Sequence, residues 1–129
     1  MAFIEGGWPG ANPKDEEFCA RAPSELSLSR ATLVAFGSTR RAGVRAEDDE
    51  TLRHLVDAQT EAVCIVAKSS EMHVVDALRT TLDEAVAMVA DSVAFLRGND
   101  LRVFLDAEHF FDGYKANPEF TLRILQAAE

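Results

Sequence analysis

The densest run of chemically able side chains is Asp106-Ala107-Glu108-His109. Along an extended strand, side chains alternate between faces, so Asp106 and Glu108 share one side. Two carboxylates aimed together into a cleft or a barrel interior, with an imidazole beside them, can orient a guanidinium, bind a divalent metal or carry acid–base work. A polar strand end bonded to neighbouring loops would use the same residues. Other candidates collect in the same way, each just past a short apolar run. Glu5 follows Ala2–Ile4, and Ser38, Thr39, Arg40 and Arg41 follow Thr32–Phe36. Lys68, Ser69, Ser70, Glu71 and His73 follow Ala62–Ala67. Two guanidiniums at a strand end can clamp a carboxylate or phosphate, or stand as a solvated pair. Glu5 suits a turn cap as well as a site, and His73 suits a helix-start hydrogen bond as well as a ligand. His54, on the helix of Leu52 and Leu55, reads as structural.

The elements that must position these groups follow from the apolar pattern. The runs Ala2–Ile4, Thr32–Phe36, Ala62–Ala67 and Leu101–Leu105 scarcely alternate, which suits strands of a parallel sheet. Between them lie helical patterns. Asn12-Pro13 and Asn117-Pro118 each offer an N-cap with proline at the first helical position, and acids follow. Residues 47 to 58 carry Leu52, Leu55 and Val56 on one face. Val75, Leu78, Leu82, Val86, Val89, Val93 and Leu96 recur at steps of three and four, predicting one long helix closed by Gly98. Phe110, Phe111 and Tyr114 read as packing a loop in which Gly113 makes a turn. The order β-α-β-α-β-α-β-α has units of about 33 residues, close to the roughly 31 of an eight-unit barrel of about 250 residues. Four units cannot close such a barrel. In parallel α/β folds chemistry sits at the carboxyl ends of the strands, which is where the polar residues gather.

The 129 residues carry 13 Lys+Arg against 22 Asp+Glu, a net charge of −9, and 47% hydrophobic residues. That is one domain or part of one, with a globular rather than disordered composition. Such acidity argues against a nucleic-acid partner. No apolar run approaches the roughly 20 residues of a membrane span. Cys19 and Cys64 form no C-x-x-C pair and read as reduced, buried thiols, and the N-terminus shows no basic region followed by an apolar core. The expected location is cytoplasmic. G-x-G-x-x-G, P-loop, G-x-S-x-G and H-x-H motifs are all missing.

Three longer stretches carry a resemblance. Ile4-Glu5-Gly6-Gly7-Trp8-Pro9-Gly10-Ala11-Asn12-Pro13-Lys14-Asp15 is similar to the second-strand segment of citramalate synthases. Ala35-Phe36-Gly37-Ser38-Thr39-Arg40-Arg41 resembles their third. The stretch from Asp106-Ala107-Glu108-His109-Phe110-Phe111 to Asn117-Pro118 resembles their fifth. Lys68-Ser69 with His73 and Ala77–Leu82 fits the fourth. These enzymes group with isopropylmalate and homocitrate synthases and hydroxymethylglutaryl-CoA lyases. The resemblance implies a (β/α)8 barrel of pyruvate carboxyltransferase type, of which residues 1–129 are expected to be units two to five. It implies Claisen-type condensation of acetyl-CoA with pyruvate to citramalate, for isoleucine biosynthesis, with a divalent metal (Mg, Mn or Zn) and a homodimer in the complete enzyme.

By residue, the resemblance implies that Glu5 and Glu108 line the barrel mouth, with Glu108 orienting a first-strand arginine. It sets His73 near the keto-acid pocket, Asp106 on the pocket floor, and Thr39, Arg40 and Arg41 in the third-strand loop. The family's first-strand Asp-Thr-Thr-Leu-Arg-Asp-Gly-like motif and its His-x-His metal pair are not among these residues, and Ser70 stands where an aromatic is expected. No metal binding in the family manner and no turnover are therefore expected of this chain alone, and its open edges predict self-association. Alternatives are a related synthase using 2-oxoisovalerate or 2-oxoglutarate, a flavodoxin-like module holding a small anion, and a decayed or split coding frame.

Overall fold

Four parallel strands lie side by side in chain order in the computed structural model, which describes residues 1–129. They are β1 (Phe3–Glu5), β2 (Thr32–Ser38), β3 (Ala62–Lys68) and β4 (Arg102–Glu108). The helices are α1 (Pro13–Glu25), α2 (Glu50–Asp57), α3 (Glu71–His73), α4 (Leu82–Gly98), α5 (Phe110–Ala116) and α6 (Pro118–Gln126). A short 3-10 turn, Ala46–Asp48, precedes α2. This sequential order is that of a β/α barrel and lacks the reversal of a doubly wound, flavodoxin-like sheet.

Every expected strand is present, but each runs further at its polar end. Ser38 pairs with Val66, Lys68 with Glu108 and Val66 with Asp106, so these polar residues belong to the ladder itself. The helix starts form as the caps dictate. Asn12 Oδ1 accepts the N–H groups of Lys14 and Asp15, and Asn117 Oδ1 accepts that of Phe120.

Two helical expectations need correction. The apolar stripe from Val75 to Leu96 is not one helix. After α3 the chain makes a π-helical turn, Val74–Leu78, and Arg79 then turns left-handed at φ 54°. Val75 is consequently exposed, and α4 restarts on a Thr81 cap at Leu82. Phe110, Phe111, Gly113 and Tyr114 form helix α5 rather than a loop. Gly113 is required there because a Cβ would collide with the Ser69 carbonyl oxygen.

Alternation divides the sheet into two unlike faces. Ala35, Val63, Ile65 and Ala67 point outward, where Leu52 and Leu55 of α2, Val89, Val93 and Leu96 of α4, and Phe120 and Ile124 of α6 bury them in one core. Gly37 lets α2 lie close, since a Cβ there would be 2.9 Å from Leu55 Cδ1. The opposite face carries Phe3, Glu5, Val34, Phe36, Cys64, Lys68, Phe104, Asp106 and Glu108, and no helix covers it. Cys64, expected to be buried, is half-buried on this inner face, while Cys19 is buried as expected.

The sheet is curled. Following the ladder, Glu5 is level with Val34, Ala62 and Arg102. Yet Phe3, two residues before Glu5, meets Phe104, two beyond Arg102, with ring centroids 4.9 Å apart. The first and last strands therefore face each other across a concavity. An offset of about four residues over three strand steps is near the one residue per strand that a tilted eight-strand barrel of shear 8 requires. The chain is a half-barrel, and its inner face is a lumen.

Candidate active site

Glu108 ends β4 on the lumen side, and its register partner on β3 is Lys68. Lys68 Nζ forms an ion pair with Glu108 Oε2. The hydrogen bond from that ammonium outweighs the opposing effect of partial burial and holds the Glu108 carboxyl below the ordinary glutamate range, with smaller lowering contributions from His109 and His73. Backbone geometry fixes the same corner. Ser69 N–H donates to the Glu108 carbonyl at 3.0 Å, and the Ser69 carbonyl accepts from Thr121 Oγ1 at 2.9 Å.

Two imidazoles flank the pair. His73 and His109 stack at a 35° tilt with centroids 4.2 Å apart. His109 reaches this position in a left-handed conformation, φ 59°, a sparsely populated region for a residue with a side chain. His73 Nδ1 and Ser69 Oγ are both buried without a hydrogen-bond partner. Such groups are costly unless a bound molecule satisfies them. The π-helical turn beginning at Val74 lies directly beside them, and such turns are common at functional sites.

The loop after β2 is built differently. Arg40 is 5% exposed, and its guanidinium is already engaged by Glu84 at 2.6 Å and Asp91 at 2.8 Å, both on α4. Burial works against its charge, but these two acids hold its pKa above the ordinary arginine value. Its backbone N–H donates to Ser92 Oγ at 2.8 Å. Arg41 N–H donates to the buried Asp49 carboxylate at 2.9 Å, which also caps α2. The expected guanidinium clamp is thus committed to tying β2 to α2 and α4. Thr39 is buried beside it, and Thr39, Arg40 and Lys68 line a shared recess of about 400 Å³.

Glu5 and Asp106 sit on the lumen face, one inward-pointing position beyond the touching Phe3 and Phe104. Both are exposed, and neither takes part in an ion pair. Their field reaches Cys64, whose thiol burial first, then Glu5 and Asp106, push up to about 11. Glu5, Cys64 and Phe104 line a smaller hollow of about 210 Å³ with Phe3 and Val34.

The structure therefore brings Glu108, His73 and His109 together and sets Glu5 and Asp106 across the same lumen. It engages Arg40 elsewhere. Nowhere do three His, Cys, Asp or Glu side chains gather so as to hold a metal ion. The residues present do not by themselves fit the divalent metal that the resemblance implies. Lys68 stands among the strand-end candidates of the sequence, but its pairing with Glu108 is the part that sequence reasoning missed. Its signal was the two-step alternation from Cys64 through Val66, which puts it on the lumen face.

No family model matches the chain. Curated proteins do. Over 128 residues, 99% of this chain, it is 56% identical to the (R)-citramalate synthase of Streptomyces coelicolor. It is 47% identical over 98% of its length to that of Geobacter sulfurreducens, and 48% over 98% to that of Aquifex aeolicus. The chain belongs to the citramalate synthase family. It spans about a quarter of these relatives, 24% of each. In this half-barrel, Lys68 and Glu108 stand at the carboxyl ends of neighbouring strands, at one mouth of the lumen. No helix is long and apolar enough to cross a membrane.

Proposed function

We propose that these residues supply the half-barrel units, two to five in family order, of an enzyme condensing acetyl-CoA with pyruvate to give citramalate. The observation that carries this reading is the Lys68–Glu108 pair beside His73 and His109, at the strand ends where barrel enzymes keep their chemistry. The near-complete match of this chain to proteins named (R)-citramalate synthase supports the choice of product.

In this reading Lys68 fixes the position of the Glu108 carboxylate, which presents a negative charge to a cationic group of the reacting centre. His73 and Ser69 offer the unpartnered polar atoms that a small carboxylate or keto oxygen would satisfy. Thr39 and Lys68 border the recess a substrate would enter. Arg40 acts at a distance, holding the β2 loop against α4. Condensation needs a proton removed from the acetyl methyl and charge stabilised on the keto oxygen. These 129 residues lack a complete set of groups for both, so the chain alone is expected not to turn over.

The test is the S. coelicolor relative with its matched segment replaced by this chain, assayed for CoA release from acetyl-CoA with pyruvate, 2-oxoisovalerate or 2-oxoglutarate. Pyruvate-dependent release is expected, with Glu108→Gln lowering it by about 100-fold. Preference for either other keto acid, or indifference to Glu108→Gln, would refute the reading.

A further inference from the structure

Thr121 is a polar residue in an apolar place. It stands on α6 with Phe120 and Ile124, all three buried, and Thr121 is 0% exposed. Its backbone N–H already returns to the Asn117 carbonyl at 3.2 Å, so the helix itself does not need the hydroxyl. That hydroxyl has one proton to give and two acceptors in reach, the Asn117 carbonyl at 3.1 Å and the Ser69 carbonyl at 2.9 Å. Ser69 is the nearer, and no backbone N–H donates to its carbonyl. A buried carbonyl left without a donor is costly, so the proton belongs to Ser69.

The Ser69 backbone is clamped on both sides. Its N–H donates to the Glu108 carbonyl at 3.0 Å, and its carbonyl accepts from Thr121. Lys68 directly precedes it, and the Lys68 ammonium pairs with Glu108. His73 lies four residues beyond, with its ring stacked on that of His109. The peptide is planar, so orienting the Ser69 carbonyl also sets the direction in which the chain leaves β3 toward His73. The corner has little else to set that direction. Ser69 Oγ and His73 Nδ1 are buried without partners, and the Ser70 side chain makes no cap at the start of α3.

We propose that Thr121 is a positioning residue of the candidate site: its hydroxyl, acting through the Ser69 carbonyl, holds Lys68 and His73 in place against Glu108 and His109. The inference rests on the reading of this corner as part of a condensing centre. It adds a residue on α6, 52 positions along the chain from Ser69, that acts without touching substrate.

The test separates positioning from stability. Thr121→Val keeps the shape and removes the donor, whereas Thr121→Ser keeps the donor. Ile124→Val trims the same buried helix face, removes no hydrogen bond and serves as the stability control. In the 129-residue chain, carbon-13 NMR of the Glu108 carboxyl is expected to show a higher titration in Thr121→Val and no change in Thr121→Ser or Ile124→Val. In the S. coelicolor relative carrying this chain in place of its matched segment, Thr121→Val is expected to lower kcat by about tenfold. Thr121→Ser should restore most of that loss. A Glu108 titration that moves equally in Thr121→Val and Ile124→Val, or in neither, overturns the proposal. So does an active graft whose kcat ignores Thr121→Val, or a Thr121→Ser variant that behaves like Thr121→Val. If Thr121→Val does not fold, the unaltered chain and Thr121→Ser decide. A Thr121 hydroxyl proton in slow exchange, with the Glu108 titration kept in Thr121→Ser, supports the proposal, and fast exchange of that proton overturns it. The titration needs no turnover, so a folded graft that does not condense sinks the proposed function alone.

Discussion

Lys68 and Glu108 are register partners on adjacent strands, and their side chains close an ion pair at the carboxyl end of the sheet. The pair joins two levels of the molecule. The ladder puts both side chains on the lumen face, and the lysine then holds the glutamate carboxyl below its ordinary range.

Replacing Lys68 with Met should raise the Glu108 carboxyl titration toward the ordinary value of about 4.3, because its largest stabilising contact is gone. Lys68→Arg should keep it depressed. Carbon-13 NMR of the Glu108 carboxyl reads both variants. A titration that does not move in Lys68→Met would mean that the pair does not hold in water.

Acid should destabilise the chain through a small set of carboxylates. Burial tends to raise the Asp49 carboxyl, but N–H donation from Arg41 and Leu52, with the Arg41 guanidinium, brings it below its ordinary value. Arg40 lowers Glu84, and Lys68 lowers Glu108. A depressed folded-state pKa stabilises fully above the unfolded value, about 3.9 for Asp and 4.3 for Glu, and the benefit is lost as pH falls through the folded value. Urea midpoints should therefore drop between about pH 5 and about pH 3. Asp49→Asn should flatten part of that drop, and an unchanged slope would remove Asp49 from the explanation.

Arg40→Met should destabilise by about 1–3 kcal/mol, since it strips Glu84 and Asp91 of a shared buried cation while both acids keep some access to water. Arg40→Lys should recover only part, because one ammonium cannot reproduce the fork that meets two carboxylates. Chemical denaturation measures both. A neutral Arg40→Met would show that the α4 contacts are not what anchors the β2 loop.

In an exposed helix, Gly→Ala stabilises by about 1 kcal/mol. Gly113→Ala should do the reverse, because the added methyl meets the Ser69 carbonyl that Thr121 also binds. A higher melting temperature for Gly113→Ala would contradict the close approach of α5 to the β3 loop.

Much of this was legible in the residues. Apolar runs located four strands, and Asn-Pro pairs located the starts of α1 and α6. Alternation set Asp106 and Glu108 on one face before any coordinates. What escaped depends on contacts between distant segments. Periodicity alone could not see Val75 leave the α4 stripe, because the π-helical turn and left-handed Arg79 break the helix without proline or glycine. Nor could it assign Arg40 to Glu84 and Asp91, more than forty residues away in the chain. Gly113 reads as a turn former until the Ser69 carbonyl is seen against it.

Every role given to Glu5, Asp106 and Glu108 depends on the curl that turns one sheet face into a lumen, and the contact between Phe3 and Phe104 is its signature. In a flat sheet, strands three steps apart are separated by roughly 14 Å. The most direct measurement is an aromatic NOESY spectrum of the free chain with Phe3 and Phe104 assigned. The half-barrel predicts a strong cross-peak between the two rings, whose centroids lie 4.9 Å apart, and its disappearance in Phe104→Leu. No cross-peak in a folded chain with an intact β3–β4 ladder would mean an open sheet, and the lumen would not exist.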